Sequence, residues 1–162
     1  MFKIGLIVNP VAGIGGPAGL KGSDGENIYQ QAKALGFEAK ALQRAVVAIS
    51  SLESLGDSVE FITCAGAMGA DCFVDSKLKY RVVYSPEDTS HTQPDDTCKA
   101  AASIMAYGVD LILFVGGDGT ARDICSAVDS NQPVLGIPAG VKMHSGVFAV
   151  TPKAVVSVIE SL

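Results

Sequence analysis

The sequence predicts a single domain of the α/β class, with three layers (α/β/α) in which helices cover both sides of a mostly parallel sheet. Three observations lead to this prediction. Five short apolar runs are typical of buried strands, helical segments separate them, and glycine-rich loops follow the first and the fourth run. Alternating strands and helices form right-handed βαβ units with parallel strands. A chain of 162 residues has the usual length of one domain.

The five apolar runs define the predicted strands. They cover Phe2–Val8, Ser58–Thr63, Tyr80–Tyr84, Leu111–Val115 and Val134–Ile137. The first run is almost continuously apolar and ends at Asn9-Pro10, as expected for a central strand that is buried on both faces.

Glycines mark the ends of the first predicted helices. Helices are predicted over Glu26–Leu35, which Gly36 closes, and over Ala39–Leu55, which Gly56 closes. A short helix is predicted near Met68–Ser76.

Two later helices have marked starts. Thr92 offers an N-cap hydroxyl, Pro94 lies in the first turn and Asp95 supplies an N3 carboxylate, so a helix is predicted from this point to Gly108. The last helix opens in the same manner at Thr151-Pro152 and is predicted to continue to the last residue, Leu162.

Composition excludes several classes of protein. The chain is 48% hydrophobic and 18% charged, which excludes disorder. Its net charge of −5 argues against binding to nucleic acid or to a membrane surface, since both need a basic face. No apolar run reaches the ~18 residues of a membrane span, and the N-terminus does not resemble a secretion signal. We therefore expect a cytoplasmic protein.

The four cysteines are widely spaced and form no Cys-x-x-Cys pair. They are Cys64, Cys72, Cys98 and Cys125. In a reducing compartment such cysteines are expected to be small buried hydrophobic residues, and a zinc site is not expected.

The carboxyl ends of parallel strands lie at one edge of a sheet, and ligands bind beyond that edge. The chemistry is therefore expected in the segments 9–22, 85–92, 116–123 and 138–146.

The sharpest motif in these segments is Gly116-Gly117-Asp118-Gly119-Thr120, between a strand and a helix. Three glycines let the backbone approach a bulky anion, and the start of a helix offers free amides. A carboxylate in such a loop fits two tasks, namely accepting a proton from a hydroxyl or holding Mg²⁺. The alternative is a tight turn in which Asp118 caps the helix.

Gly-Gly-Asp-Gly-Thr after an apolar strand resembles the signature of NAD kinases, diacylglycerol and sphingosine kinases, and phosphofructokinases. Val8-Asn9-Pro10 followed by Gly13 and Gly15 resembles the first-strand loop of the NAD kinase and lipid kinase branches. The strings 110–123 and 136–149 extend the similarity to the predicted ATP-NAD kinase family, which includes an accessory protein of acetoin catabolism.

The resemblance implies an NAD kinase/phosphofructokinase-like N-terminal domain whose cofactors are ATP, Mg²⁺ and NAD. It makes Asp118 the candidate base toward a ribose hydroxyl. It places Gly116, Gly117, Gly119 and Thr120 at a phosphate site. Asn9 would contact the nucleotide or orient the loop, and its alternative is an Asx-turn before proline.

Three further polar residues are candidates for nucleotide binding. Arg122 is suited to clamp a phosphate with its guanidinium fork, or it is a solvated charge on the helix surface. Lys142 would counter phosphate charge and His144 would donate a hydrogen bond or relay a proton; the alternative is a surface loop. Asp95 and Asp96 are expected to serve the start of a helix, and no metal ligands are predicted in the chain.

The sequence departs from these relatives at three points. No Asn-Glu or Asn-Asp pair follows Thr120, although the well-known NAD kinases carry one there. The lipid-kinase pattern becomes Pro138-Ala139-Gly140-Val141-Lys142, without its hydroxyl. The β-rich second domain of these kinases is not expected within residues 1–162, and turnover is expected to need it, because half a cleft excludes water poorly.

The predicted function is transfer of a phosphoryl group from ATP or polyphosphate to a hydroxyl of NAD or a related small molecule. Two alternatives stay open. One is a non-catalytic nucleotide-binding accessory protein of the acetoin-catabolism type, and the other is a lipid or sugar kinase with the same glycine motif. The expected partner is a small-molecule nucleotide, and an exposed apolar face would favour a homo-oligomer.

Overall fold

The sheet contains all five predicted strands. The computed structural model of the chain describes residues 1–14, 27, 30–31, 34–36, 39–89, 92–140, 146–149 and 151–162. The strands are β1 (Phe2–Val8), β2 (Val59–Cys64), β3 (Tyr80–Tyr84), β4 (Leu111–Gly116) and β5 (Val134–Pro138). The prediction is confirmed, with β2 displaced by one residue and both β4 and β5 longer by one.

The strands lie in the order β3-β2-β1-β4-β5, and every neighbouring pair is parallel. The chain moves outward from β1 to β3 and then returns to the other side of β1 to form β4 and β5. The chain therefore builds the sheet in one direction from β1 and in the opposite direction from β4. The loops that follow these two neighbouring strands diverge at the carboxyl edge. Such a switch point is where open α/β sheets bind their ligands.

Four α-helices are complete in the described part of the chain. They are α1 (Ala41–Leu52), α2 (Pro94–Tyr107), α3 (Asp118–Ala127) and α4 (Val155–Glu160). A 3₁₀ segment, Glu53–Ser58, continues α1, and another, Pro152–Ala154, precedes α4. The predicted last helix therefore begins where expected, at Thr151, whose hydroxyl oxygen accepts from the Ala154 amide.

The prediction of a helix near Met68–Ser76 needs correction, and the predicted helix Glu26–Leu35 lies mostly outside the described residues. The segment Met68–Ser76 forms two 3₁₀ turns, Gly66–Met68 and Ala70–Phe73, because Gly69 between them has a non-helical backbone. Of the predicted helix Glu26–Leu35, the structure describes Asn27, Gln30, Gln31 and Ala34, which are helical, and Leu35, which lies in a turn.

The N-cap of α2 is Gln93, and the prediction of Thr92 was wrong by one residue. Pro94 occupies the first helical position, where its missing amide has no cost. Asp96, at N3, accepts a hydrogen bond from the Gln93 amide (2.8 Å), whereas Asp95 forms an ion pair with Lys99 (2.7 Å). Both aspartates thus serve the start of the helix, as predicted, and Gly108 ends it in the left-handed conformation.

Apolar side chains alternate between the two faces of the sheet and form two clusters. Ile4, Leu6 and Val8 of β1 belong to the cluster under α1 and α4, whereas Ile7 belongs to the cluster under α2 and α3. The two clusters lie on opposite faces of one sheet, so the fold is the predicted three-layer α/β/α arrangement.

The cysteines differ in exposure. Cys64 and Cys72 are buried, and desolvation raises the pKa of each thiol to about 12, so both are inert apolar residues at neutral pH. Cys98 is half-buried. Cys125 is exposed, which corrects the expectation of burial, because it lies on the outer side of the amphipathic helix α3.

No helix in the described ranges is long and apolar enough to cross a membrane.

Candidate functional site

The loops that follow β1 and β4 meet at the switch point and are joined by Asn9. Its amide nitrogen Nδ2 donates to Thr120 Oγ1 (3.0 Å), and its backbone amide donates to the Val115 carbonyl (2.9 Å). Its Oδ1 accepts from the Val11 amide (3.2 Å), which forms an Asx-turn. The oxygen of Asn9 therefore shapes the Asx-turn while its nitrogen orients the second loop, and contact with a nucleotide stays a prediction.

Thr120 is buried in the first turn of α3, with 3% of its surface exposed. A Cβ atom at Gly116 would overlap its side chain, since it would lie 2.5 Å from the Thr120 Cβ. Glycine at 116 thus allows the first turn of α3 to close onto the end of β4. We predicted that these glycines would let an anion approach; for Gly116 the structure supplies a packing reason instead.

Helix α3 begins at Asp118, and its N-cap is Gly117, which has an extended backbone and no side chain. The interpretation in which Asp118 itself is the N-cap is therefore wrong. Asp118 is the first helical residue, partly exposed, at the positive end of a helix of ten residues. A carboxylate is electrostatically favoured at this position, and Gly119 beside it is also partly exposed.

The loop after β5 completes this part of the edge. The Ala139 amide donates to the Gly116 carbonyl (3.0 Å), which ties this loop to the glycine motif. Gly13 has a φ of +82° and packs directly on the Ala139 carbonyl, so a Cβ at 13 would overlap that oxygen. The three loops thus form one connected surface, which we call the crevice site and define by Asn9, Gly116, Gly117, Asp118 and Thr120.

The Asn9–Thr120 hydrogen bond gives a direct test of this connection. Replacing Thr120 with valine keeps the shape but removes the acceptor for Asn9 Nδ2, and leaving a donor unpaired in a protein costs about 1–3 kcal/mol. We expect the free energy of unfolding in urea to fall by about that amount. Thr120→Ser keeps the hydroxyl but lacks the methyl group and is the control; a loss in Thr120→Val no larger than that in Thr120→Ser would contradict a stabilising role of the hydrogen bond.

The other predicted site residues have different outcomes. Arg122 is exposed on α3, which agrees with either of its interpretations. Lys142 and His144 lie outside the described residues, so their roles stay predictions.

A second group of polar side chains lies at the end of β3, and the sequence did not predict it. Tyr84 donates its hydroxyl to Asp96 Oδ1 (2.7 Å) beside a cavity of about 390 Å³. Burial and the neighbouring Asp96 carboxylate raise the pKa of the tyrosine. Acidic residues dominate the lining, which includes Glu87, Asp88, Asp95 and Asp96 beside the single cation Lys99. This acidic corner disfavours phosphate at the β3 end of the edge.

Metal ligands are sparse at the edge of the sheet. In the ranges that the structure describes, no group of three His, Cys, Asp or Glu side chains is placed to hold a metal ion.

A parallel sheet with a glycine-lined helix start at its switch point is typical of α/β domains that bind phosphate-bearing ligands. The family model described as ATP-NAD kinase N-terminal domain matches residues 4–162, and the chain belongs to this family. Among curated proteins, none matches the chain.

Proposed function

We propose that this domain belongs to a phosphotransferase that moves a phosphoryl group from ATP or polyphosphate to a hydroxyl of NAD or a related small molecule. Membership of the ATP-NAD kinase family supports the class of reaction. The observation that carries the proposal is the Asn9–Thr120 hydrogen bond, because it fixes the turn bearing Asp118 at the switch point between β1 and β4.

The crevice site has the groups that a phosphate needs. The first amides of a helix have no partners within the helix, and Gly117, the N-cap of α3, has no side chain that would cover them. Such amides, together with the helix dipole, bind phosphate oxygens. The residues present therefore fit the phosphates of ATP and NAD.

Asp118 is the residue that we assign to proton transfer. In this proposal its carboxylate accepts the proton of the attacking hydroxyl, while the α3 amides hold the phosphate chain in line with it. Mg²⁺, when bound to the phosphates, supplies screening of their charge, and Asp118 is the crevice-site carboxylate available to it. We place the reaction in the cytoplasm, with a small-molecule nucleotide as the partner.

A non-catalytic nucleotide-binding accessory protein is the second candidate. The observation in its favour is that no Asn-Glu or Asn-Asp pair follows Thr120. This candidate predicts nucleotide binding without product, whereas the kinase proposal predicts both.

Calorimetric titration with Mg-ATP, ADP, NAD and NADP tests the phosphate site. The variant Gly117→Val places a branched side chain at the N-cap of α3, where it would obstruct the approach to the first amides. We expect the wild type to bind at least one of these ligands and Gly117→Val to lose that binding. Unchanged binding in the variant would show that the nucleotide phosphates lie elsewhere. Ala106→Val is the control, because it adds a branched side chain at an exposed position near the end of α2, at the amino edge of the sheet.

A further inference from the structure

A second cavity lies beside the start of α1 and is lined with positive charge. Its volume is about 470 Å³. Lys40, Gln43 and Arg44 line it from α1, and Thr151, Pro152 and Lys153 line it from the turn before α4. Val47 adds an apolar contact. We call this cavity the basic groove.

The charge of the basic groove is unusual for this protein. The chain carries a net charge of −5, yet among the residues that the structure describes three cations and no carboxylate line the groove. Two lysines elsewhere in the described chain are paired, Lys79 with Asp57 (2.8 Å) and Lys99 with Asp95 (2.7 Å). Lys40, Arg44 and Lys153 form no ion pair with any carboxylate in the described part of the chain. Like charges around one concavity repel, and an anion bound between them would offset that repulsion.

The basic groove lies at the same edge of the sheet as the crevice site. Helix α1 leads through Glu53–Ser58 to the start of β2, so its first residue lies at the opposite, carboxyl edge. On the other wall, Phe148 pairs in parallel with Gly136 of β5, and the chain then reaches Thr151 just past the end of that strand. The edge is therefore acidic beside β3 and basic beside β5.

The donors in the basic groove suit phosphate oxygens. Lys40 and Arg44 are four residues apart at the start of α1, and such positions are neighbours on a helix surface. The guanidinium fork of Arg44 matches a pair of phosphate oxygens. Thr151 Oγ1 accepts from Ala154, which leaves its hydroxyl proton for another acceptor.

We propose that the basic groove is a second anion site, separate from the crevice site, which binds a chain of two or more phosphoryl groups. Several cations in a row favour such a polyanion over a single carboxylate. The phosphate chain has two sources, an inorganic condensed phosphate or the triphosphate of a nucleotide, and the apolar contacts of Val47 and Pro152 suit the uncharged part of the latter. The proposal goes beyond the proposed function and does not depend on it.

Calorimetric titration with tripolyphosphate, in parallel with ATP, tests the second site. The variants Lys40→Glu and Lys153→Glu each reverse one exposed charge of the groove. Lys77→Glu is the matched control, since it makes the same change at an exposed lysine that precedes β3, at the amino edge of the sheet. Circular dichroism establishes that all three variants are folded.

We expect both groove variants to weaken binding of tripolyphosphate by about tenfold or more, which is the effect of losing one charge-assisted hydrogen bond. We expect Lys77→Glu to change that binding by no more than about twofold, because its charge is distant from the groove and screened by salt. Tighter binding of ATP than of tripolyphosphate at the groove would identify the nucleotide as the source, and equal binding would identify the phosphate chain alone.

Three outcomes would overturn the second site. They are no binding of tripolyphosphate by the wild type, equal weakening by Lys77→Glu, and binding that is lost in Gly117→Val but kept in the groove variants. The last result would leave the crevice site intact as the phosphate site, whereas loss of tripolyphosphate binding in the groove variants alone would support the groove and leave the crevice site to the nucleotide titration of Gly117→Val. The two proposals therefore fail separately.

Discussion

Replacing Asp118 with asparagine is expected to lower the turnover of the full-length protein by a factor of about 10²–10⁴, the contribution of a positioned general base. Asparagine has nearly the same shape and also suits the start of a helix, so the fold and the Asn9–Thr120 hydrogen bond are expected to persist. The charge that accepts the proton is lost. The measurement is the rate of NADP formation from NAD and Mg-ATP, with nucleotide binding followed in parallel.

Asp129→Asn is the control for this prediction. Asp129 is exposed just beyond the C-terminal end of α3. The variant therefore makes the same chemical change at the other end of this helix, without touching the crevice site. Normal turnover in Asp118→Asn would refute the assignment of the base. A wild-type protein that binds nucleotide but phosphorylates no acceptor would favour the accessory candidate, because binding would then persist without chemistry.

The strands were predictable because each is a short β-rich run between helical segments, and β1 and β4 have the nearly continuous apolar pattern of a strand covered on both faces. Their order was not predictable in the same way. Any parallel sheet brings the four loop segments to one edge, but only the packed structure makes β1 and β4 neighbours and allows Asn9 to reach Thr120. Such pairing depends on contacts between distant parts of the chain, for which local composition carries no signal.

The errors in the predicted helices have local causes. Either Thr92 or Gln93 could be the N-cap of α2, and the aspartate that accepts a hydrogen bond from the N-cap amide decides between them. Asp95 is paired with Lys99, so Asp96 accepts that hydrogen bond and Gln93 is the N-cap. Near Met68, the glycine at 69 prevents a continuous helix. A Cβ at 69 would lie 3.3 Å from the Thr63 Cβ, so this glycine also has a packing role that no turn pattern indicates.

The crevice site was largely predictable, and the basic groove was not. Gly116 to Thr120 are contiguous, so their grouping follows from the sequence alone. Lys40 and Arg44 share a helix face but come together with Lys153 only because α1 and the turn before α4 pack on the same side of the sheet. The single-domain boundary, the nucleotide partner and self-association stay predictions.

Replacing Gly13 with alanine is expected to lower the free energy of unfolding by about 2–5 kcal/mol. A left-handed conformation costs an L-residue about 1–2 kcal/mol, and relieving an overlap in a packed site costs about 1–3 kcal/mol more. Gly13 has a φ of +82°, and the overlapping atom is the backbone carbonyl of Ala139, which cannot move aside as a flexible side chain would. Urea unfolding measures the change.

Gly108→Ala separates the two causes, because Gly108 has nearly the same φ, +86°, but nothing within 4 Å of its Cβ position. It is expected to lose only the conformational part, about 1–2 kcal/mol. The excess loss at Gly13 then measures how tightly the loop after β1 packs on the loop after β5. Because Asn9 lies in that first loop and Gly116 is bonded to Ala139, displacing the contact is also expected to weaken nucleotide binding, whereas Gly108→Ala is not. Equal losses of stability in the two variants would mean that the loops yield freely, and that the crevice site is held by the Asn9–Thr120 hydrogen bond alone.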